Sequence, residues 1–582
     1  MSRELFKFKG GVHPPEHKVE SNTRPIAAAP IPHFLVIPVR QHIGNPAKPL
    51  VHVGQSVLKG QMIAAADGYI SAAVHASTSG VISNIDLQPV PHVSGLPDLC
   101  ITLVTDGLDA WIDRAPLDYP SMSPAALRMQ LRDMGLTGLG GAVFPSAVKL
   151  DPGAAHTCPT LIVNGGECEP WITCDEMLMR ERADTILQGV AVMRHLLGSA
   201  EILVGIEDNK PEAIAAMQAA AVRMDFAVEI VAVPAIYPGG GAKQMIQTLT
   251  GKQVPSGKLS TDIGIQVFNV GTAYALARAV HHGEPLISRL VTVTGHVLRP
   301  QNFDVLIGTP MHTLIAHAGE RDGTTGVLMG GPMMGMPMPH TIPHALQPVV
   351  DRSTPQGGIE KNPLAGNLKV PVVKATNCIL VKSAEQFPPL PKALPCIRCT
   401  RCADVCPAEL QPQELFRFAK AADFGRAQEY HLFDCIECGC CSYVCPSHIP
   451  LVDFYRYAKS EIWAREKEKR ASDLARERHE FRQFRLDREK KEKAEKLAAK
   501  AQAKRAELTN PPADGPAASE VAAKKALITA ALARAQAKKA ETVPKNTDSL
   551  SPETQREIEE IEARRAKIRE LARSPLESEE NP

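Results

Sequence analysis

The chain has 582 residues and a formal net charge of +1, a length that suits about three or four domains. Its charge is uneven, because residues 459–540 alone hold 22 basic and 13 acidic residues. The body that precedes them is therefore slightly acidic, which does not favour nucleic acid as a partner.

The beginning of the chain predicts neither a secretion signal nor a membrane anchor. Residues 1–18 are polar, contain prolines and lack the apolar run of a signal peptide. No stretch approaches eighteen uninterrupted apolar residues, so no transmembrane helix is predicted. We expect residues 1–29 to be an N-terminal extension of a protein that lies in the cytoplasm or on the cytoplasmic face of a membrane.

Residues 30–115 have the pattern of a small β domain. Short alternating runs at 53–61 and 74–82 are rich in valine and isoleucine, and glycines mark the turns between them. This pattern resembles the barrel-sandwich fold of biotinyl and lipoyl carrier domains. Carriers present a lysine at a hairpin tip, but residues 66–69 read Ala-Asp-Gly-Tyr at that place. We therefore expect an unmodified barrel sandwich with a structural role.

Residues 120–285 alternate between apolar strands and helical stretches. Strands are predicted at 160–163, 201–206 and 228–233, with an alanine-rich helix at 211–224. This alternation indicates an α/β domain with a mostly parallel sheet, in which ligands bind at the carboxyl ends of the strands.

Three glycine-containing phrases mark that domain as a candidate nucleotide site. Residues 135–149 form a glycine-rich loop that closes on Lys149, and backbone N–H groups with a lysine can hold a phosphate. Residues 164–170, Asn-Gly-Gly-Glu-Cys-Glu-Pro, follow a buried strand directly, and residues 237–243 form a second glycine turn before a helix. Each phrase could also simply shape a turn.

Two stretches of different character lie beyond the α/β domain. Residues 286–375 return to β patterns, beginning with an apolar strand at 290–295. Residues 459–582 are rich in alanine, lysine, glutamate and arginine and low in apolar content, with prolines at 511, 512 and 516. That composition predicts a solvated helical or disordered tail.

Eight of the fourteen cysteines form two copies of one pattern, thirty-nine positions apart, at 396–407 and 435–446. Each copy reads C-x2-C-x2-C-x3-C-P, which is the run that binds two [4Fe–4S] clusters in bacterial ferredoxins. In that run the fourth cysteine ligates the cluster of the other copy. The predicted quartets are Cys396, Cys399, Cys402 and Cys445 for one cluster, and Cys435, Cys438, Cys441 and Cys406 for the other.

Other uses of these cysteines fit the pattern less well. Structural zinc sites usually take their ligands as two pairs, and disulfides require an oxidising compartment. Cys440 fits no ligand position and is predicted to be a spare thiol, while Cys158, Cys168 and Cys174 are predicted to be small buried residues. We expect a two-cluster ferredoxin module at 390–455.

Taken together, these motifs resemble the FMN- and NADH-binding subunit of respiratory complex I and its relatives. The fusion to a two-cluster ferredoxin module is most similar to the C subunit of the Rnf/Rsx electron-transport complexes. Residues 8–16, Phe-Lys-Gly-Gly-Val-His-Pro-Pro-Glu, and residues 167–171, Glu-Cys-Glu-Pro-Trp, also resemble that family. The resemblance covers residues 1–455 and implies a multidomain α/β and α+β fold, with a β-grasp domain of the SLBB type at 286–375.

The resemblance also implies roles for individual residues. Those implied at the phosphate of FMN are Gly138, Gly140, Gly141, Lys149, Asn269 and Thr272. Asn164 and Glu167 would face the isoalloxazine or ribityl group, and Phe144 and Glu169 would line the side of the nicotinamide nucleotide. The turn at 239–241 would leave space for the flavin. Two positions depart from the complex I pattern, since Leu139 replaces an arginine and Gly166 an aspartate.

The implied function is electron transfer between NADH, flavin, two [4Fe–4S] clusters and a partner, in either direction. The family implies a peripheral subunit on the cytoplasmic side of the cell inner membrane. The implied partners are integral-membrane subunits that translocate ions and a ferredoxin-type carrier. Two alternatives remain open. The chain could be the diaphorase subunit of a soluble NAD-linked hydrogenase or formate dehydrogenase, or an iron–sulfur relay without flavin, as the departures at Leu139 and Gly166 permit.

Overall fold

The structure, a computed structural model, describes residues 3–151, 153, 157–338, 369–389, 391–509, 517–541 and 552–571. It divides into two compact units, Met1–Glu466 and Lys467–Pro582. The candidate cofactor residues all belong to the first unit.

The predicted barrel sandwich consists of two small antiparallel sheets. Its strands are β2 (Phe34–Pro38), β3 (Lys48–Pro49), β4 (Ser56–Val57), β5 (Met62–Ala65), β6 (Val74–His75), β7 (Gly80–Gln88) and β8 (Asp98–Thr105). The strand orders are β2-β8-β7-β4 and β3-β5-β6. Alternate side chains point inward, and Leu35, Ile37, Ile63, Ile101 and Leu103 are fully buried between the sheets. The turn at residues 66–69 connects β5 to β6.

The α/β domain contains the parallel sheet that its sequence predicts. Its elements are α1 (Pro124–Asp133), α2 (Ser146–Lys149), β9 (Thr160–Gly165), α3 (Cys174–Leu197), β10 (Glu201–Glu207), α4 (Pro211–Ala221), β11 (Glu229–Val233), α5 (Ala242–Thr250), a 3₁₀ turn (Ser260–Ile263), β12 (Ile265–Asn269) and α6 (Val270–His282). The strand order is β11-β10-β9-β12, and every pair is parallel. Helices cover both faces, which is why β9 and β10 are nearly continuous apolar runs.

The carboxyl ends of these strands lie at one edge of the sheet. Asn164 on β9 is in register with Asn269 on β12, and Glu207 on β10 is in register with Val233 on β11. The predicted nucleotide phrases follow these positions, so the topology brings separate parts of the sequence to one edge.

The third domain is a mixed sheet that recruits strands from outside its predicted range. Its elements are β13 (Ser288–Gly295), β14 (Gln301–Leu306), α7 (Met311–Ala318), β15 (Thr324–Met329), β16 (Met336–Pro337) and β17 (Cys378–Ser383). The order is β1-β14-β13-β17-β15-β16, where β1 is Ala27–Ala28. β17 pairs with both β13 and β15 and is therefore a central strand of this sheet. The predicted domain range, 286–375, ends before β17 and leaves it out. Residues 339–368 of the predicted range lie outside the described residues.

The cysteine module is built from short helices around its own apolar core. They are α8 (Arg401–Asp404), α9 (Pro412–Lys420), α10 (Phe424–Glu429), a 3₁₀ turn (Leu432–Asp434), α11 (Cys440–Tyr443) and the start of α12 (Leu451–Thr509). Leu415, Leu432, Leu451 and Tyr455 form part of the core. Helix α12 begins at Leu451, so both the predicted end of the module at 455 and the predicted start of the tail at 459 fall inside a helix.

The second unit is helical in the part of the chain that the structure describes. It contains the remainder of α12, α13 (Ala517–Glu541) and α14 (Pro552–Leu571). The side chains described there are almost all exposed, as expected for a solvated extension. The prolines predicted to interrupt it, at 511, 512 and 516, lie outside the described residues. Within the described ranges, no helix is both long enough and apolar enough to span a membrane.

Candidate cofactor sites

Five cysteines from both repeats line one cavity in the cysteine module. Four of them, Cys406, Cys435, Cys438 and Cys441, form one of the two quartets that the spacing predicts, and the fifth is Cys440. Cys438 and Cys441 are buried, and Cys406 and Cys435 are half-buried. The fold therefore brings the fourth cysteine of the first repeat to the three leading cysteines of the second.

The surroundings of this quartet suit a cationic metal cluster. Burial raises the pKa of the Cys435 thiol to about 11. Burial also raises the pKa of Cys441, and the neighbouring Cys435 and Cys438 raise it further. Thiolates packed this closely repel each other unless positive charge lies between them, and iron would supply it. Backbone N–H groups of Glu437 and Leu410 already point at the sulfurs of Cys435 and Cys406, each at 3.4 Å.

The second predicted quartet lies at the surface of the module. Cys396 and Cys399 are exposed, Cys402 is buried and Cys445 is half-buried. The Leu394 N–H donates to the Ser447 carbonyl at 2.9 Å, and the Ser447 hydroxyl donates to the Pro395 carbonyl at 3.0 Å. These two bonds hold the chain before Cys396 beside the chain after Cys445, as a shared cluster requires.

The buried quartet borders the α/β domain. The Tyr237 hydroxyl, on the turn after β11, donates a hydrogen bond to the backbone carbonyl of Cys438. Tyr237 and Cys438 share a small apolar cluster with Val12 and Cys440, and the half-buried Cys168 packs against it. Cys440, the predicted spare thiol, is fully buried at this contact. The nucleotide phrases of the α/β domain thus lie next to one quartet and not the other.

The glycine-rich loop forms an open hairpin at the edge of the sheet. The Gly138 N–H donates to the Phe144 carbonyl at 2.8 Å and closes the loop, while Gly140 and Gly141 at its tip are exposed. A side chain at Gly140 would place its Cβ 3.0 Å from the Cβ of Asn269, so only glycine leaves this approach free. The Ser146 hydroxyl after the loop is buried and has no partner among the described residues. The N–H groups of Gly140 and Gly141 have no partner among the described residues, so the tip of the loop offers the backbone donors that a phosphate site needs.

Lys149 ends the short helix after this loop. Its ammonium donates to the Val267 carbonyl and lies 4.7 Å from the centre of the Phe268 ring. Burial lowers the pKa of Lys149 to about 8, and within the described residues no carboxylate pairs with it. A half-buried cation without an anion is the donor that a phosphate group would satisfy.

Three further predicted residues join the loops at the sheet edge. The Asn164 amide donates to the Gly240 carbonyl at 2.8 Å. The Asn269 side chain caps α6 by accepting from the Gly271 N–H at 2.8 Å, and its amide donates to Asp175 at 2.6 Å. The Leu139 N–H donates to the Thr272 hydroxyl at 2.9 Å.

Glu167 is buried and holds the first turn of α3. Its carboxylate accepts from the Asp175 N–H at 2.9 Å and from the Glu176 N–H at 3.3 Å. Burial, together with the charge of Glu167, raises the pKa of the Asp175 carboxyl to about 7. Glu167 thus fixes the backbone of α3 from the position where the resemblance implies a flavin contact.

Glu169 connects the nucleotide phrases to the third domain. Its carboxylate accepts from the N–H groups of Met333 and Met334 at 2.7 and 3.0 Å. Burial raises its pKa. Phe144, the other residue implied at the nicotinamide side, is half-buried at the base of the glycine-rich hairpin. The structure therefore places all ten implied flavin and nucleotide residues on the loops and helix ends around one sheet edge.

Two buried cations at this edge were not predicted from the sequence. The Lys18 ammonium donates to the carbonyls of Glu167, Glu169 and Ile172, at 2.6, 3.0 and 2.8 Å. The Arg289 guanidinium donates to the Leu139 carbonyl at 3.0 Å and leaves its Nε without a partner in the described part of the chain. A guanidinium therefore lies against the residue that replaces the arginine of the complex I pattern. No local signal could have identified either cation, because their partners lie about 150 positions away.

A cavity of about 240 Å³ lies beside the glycine-rich loop, between the first three domains. Leu139, Asp175 and Arg289 form part of its wall. Charged groups elsewhere in the wall pair with one another, as Lys59 does with Asp109 at 2.7 Å. It does not include the glycine turn at 239–241 or any of the eight candidate iron ligands.

A parallel sheet with a glycine-rich loop at its carboxyl edge, joined to a cysteine quartet, is the arrangement expected of the class of flavin and iron–sulfur proteins. Family models match along the chain in the same order. The RnfC barrel sandwich hybrid domain matches residues 6–108, the Nuo51 FMN-binding domain 131–278, the SLBB domain 290–337 and the 4Fe-4S dicluster domain 395–449. These matches confirm the multidomain fold predicted from the sequence, and they support FMN and iron–sulfur centres as its cofactors.

Several similar proteins carry the name of the C subunit of an ion-translocating oxidoreductase complex. One from Pseudomonas aeruginosa is 46% identical over 74% of this chain and 52% of its own length. One from Vibrio cholerae is 43% identical over 87% and 62%, and one from Haemophilus influenzae is 41% identical over 84% and 71%. The chain belongs to this family of C subunits, as its motifs predict. It spans about half the length of the Pseudomonas protein.

Among solved structures, two of an NAD⁺-reducing [NiFe]-hydrogenase are similar to parts of the chain. The air-oxidised form is 20% identical with a TM-score of 0.37, over 52% of this chain and 54% of that one. The H₂-reduced form is 19% identical with a TM-score of 0.38, over 58% and 63%.

Proposed function

We propose that this chain is the peripheral electron-transfer subunit of a membrane-bound complex that couples electron transfer to ion translocation. It would act on the cytoplasmic side of the cell inner membrane, with NAD(H) as its nucleotide. Its proposed partners are the integral-membrane subunits of the complex and a ferredoxin-type carrier. The observation that carries the proposal is the contact between Tyr237, on the nucleotide edge of the α/β domain, and the backbone of Cys438 in the buried quartet.

The proposal assigns two [4Fe–4S] clusters and one FMN to the chain. The buried quartet (Cys406, Cys435, Cys438 and Cys441) would hold one cluster, and the surface quartet (Cys396, Cys399, Cys402 and Cys445) the other. When bound, the flavin exchanges electron pairs with a nicotinamide and single electrons with an iron–sulfur cluster. No residue of the chain has to act as a general acid or base, because the protein supplies position and electrostatic environment.

Each group of residues has a distinct task in this function. The N–H groups of Gly140 and Gly141 at the tip of the hairpin, the amino terminus of α6 and the Lys149 ammonium would hold the phosphate. Asn164 and Glu167 would keep the loop after β9 in place, while Phe144 and Glu169 would border the nicotinamide. Burial and the N–H groups that point at the cysteine sulfurs would set the cluster potentials.

Cofactor analysis of anaerobically purified protein tests this function against its alternatives. About eight irons and one FMN per chain support the proposal. Eight irons without flavin would favour a simple relay, and zinc in place of iron would overturn both. Reduction of an artificial acceptor by NADH would exclude the flavin-free relay. Loss of the protein from membranes after mild washing would favour a soluble diaphorase subunit instead.

A further inference from the structure

Two cysteines of the surface quartet belong to a fully exposed stretch of chain. Every residue from 391 to 401 is exposed, including the candidate ligands Cys396 and Cys399. The stretch from 443 to 448 lies next to it through the hydrogen bonds between Ser447 and residues 394–395, and it exposes Tyr443, Pro446 and His448. We call these two stretches the basic face.

The basic face carries positive charge that the chain itself does not neutralise. It contains Lys392, Arg398 and Arg401 and no aspartate or glutamate. Within the described residues none of these three cations forms an ion pair, whereas Lys9 on the N-terminal segment pairs with Glu409 at 3.2 Å. Two large apolar side chains, Leu394 and Ile397, lie among the cations and are 59% and 68% exposed.

We infer that the basic face is the docking surface for an acidic electron-carrier protein. The inference rests on the proposed function, since it needs a cluster behind Cys396 and Cys399. Electrons pass between proteins only when their centres approach closely, and exposed ligands permit that approach. Unpaired cations attract and orient an acidic partner, while the two exposed apolar side chains supply the dry centre of a small transient interface.

A protein partner fits this surface better than a lipid membrane does. The three cations surround exposed candidate iron ligands, so a protein that binds them is held next to a redox centre. A lipid headgroup exchanges no electrons, and its binding does not require exposed iron ligands. The basic part of the chain that suits an anionic membrane is residues 459–540, with 22 basic residues, and it belongs to a different part of the sequence.

Binding of an acidic two-cluster bacterial ferredoxin to the full, cofactor-loaded chain tests the inference. The double variant Arg398→Glu/Arg401→Glu should weaken binding at least about tenfold at low salt, because it turns attraction into repulsion. The neutral pair Arg398→Gln/Arg401→Gln should weaken it less and flatten its salt dependence. The matched control, Arg417→Glu/Lys420→Glu on α9, makes the same change of charge in the same module outside the basic face and should shift binding less than about twofold.

Two readouts separate the possible failures. EPR spectra of the reduced variants should keep both cluster signals, so weaker binding would reflect docking and not a lost centre. If wild type shows no cluster signals, the proposed function fails, whatever the binding result. Equal ferredoxin binding by all variants would overturn the docking surface. Loss of binding to phosphatidylglycerol vesicles in the basic-face variant, with ferredoxin binding unchanged, would assign the face to the membrane instead.

Discussion

The two cysteine repeats have the same backbone conformation, but the residues around them differ. Positive φ angles recur at positions thirty-nine apart, at Arg398 and Glu437 and again at Thr400 and Gly439. Arg398 is exposed and unpaired among the described residues. Glu437 pairs with Arg456 and Lys459, at 3.0 and 2.8 Å. The same loop conformation therefore occurs in two environments. Its side chains differ according to whether the loop packs against the rest of the protein or is exposed to a partner.

The residue that follows the second cysteine of each repeat shows the same contrast. A Cβ at Gly439 would meet the Met333 carbonyl at 2.6 Å, so this loop packs against the third domain. Its counterpart Thr400 is exposed and retains a side chain despite a φ of 62°. Close packing therefore requires a glycine at position 439, whereas the exposed position 400 has room for a side chain.

Removing the cysteine that crosses between the repeats should have the largest effect. Cys406→Ser belongs to the first repeat in sequence but should disturb the buried quartet, with a loss of up to about four of eight irons. Iron analysis and EPR spectroscopy would measure the loss. Cys440→Ser is the matched control, because Cys440 lies in the second repeat between two ligands of the same quartet and should keep the full iron content. Equal losses from the two variants would contradict the assignment of the quartets.

Lys149→Met tests the nucleotide edge that the buried quartet borders. Its affinity for FMN should fall at least about tenfold, because the phosphate loses its cation, while its affinity for riboflavin should change little. Fluorescence titration of the flavin-free protein would measure both. If the variant loses affinity for both flavins equally, Lys149 does not contact the phosphate.

The same variant carries a pH signature. The pKa of Lys149 is lowered by burial to about 8, from about 10.4 in an unfolded chain. Between these values the unfolded chain binds more protons, so the stability of the flavin-free protein should rise as the pH increases from 8 to 10.4. Lys149→Met should remove that rise from a series of melting temperatures. A rise of the same size in both proteins would assign it to other groups.

Tyr237→Phe tests the contact between the α/β domain and the buried quartet. The change removes one hydroxyl and leaves the buried Cys438 carbonyl without that donor, at a cost of about 1–2 kcal/mol. Reduction of the clusters by NADH should slow severalfold in stopped-flow measurements, with iron and flavin contents unchanged. Tyr443→Phe, at an exposed tyrosine of the same module, is the control. An unchanged rate in Tyr237→Phe would show that this bond does not position the loop.

Glu437→Gln should have the smallest effect of these changes. It removes the ion pairs that distinguish the second repeat from the first. It leaves Arg456 and Lys459 without their shared carboxylate, and Lys459 is almost fully buried. Because Glu437 and Arg456 are partly exposed and Lys459 keeps its bond to the Cys435 carbonyl, the loss of stability should be about 1 kcal/mol, visible as a lower melting temperature. Arg398→Gln, the matched change in the first repeat, should leave the melting temperature unchanged. A similar decrease in both variants would remove the distinction between the repeats.

Features that depend on local patterns were predicted well from the sequence. The strands at 160–163 and 201–206 are continuous apolar runs, and the structure extends each by only one or two residues. The cysteine spacing predicts two quartets, and the residues of the buried one line a single cavity. The assignment of both quartets to clusters stays a prediction.

Features that depend on distant contacts were missed. Strand β17 lies between β15 and β13, and its partners in β13 are more than eighty positions earlier, so no pattern within β17 indicates this pairing. Lys18 and Arg289 look like ordinary surface cations in the sequence, yet both are buried beside carbonyl groups of another domain. The different surroundings of the two repeats could not be predicted either, because the α/β domain covers only one of them.

The contacts of the N-terminal segment affect how the first unit unfolds. Its Gly11 N–H donates to Val405 in the cysteine module at 3.0 Å, its Val12 pairs with Tyr237, and its Lys18 holds the loop at 167–172. This strap fastens two domains whose partner residues are more than 150 positions apart. Neither domain can loosen without releasing it, so heat should melt them in one cooperative step, and a protease that cuts the strap should split that step in two.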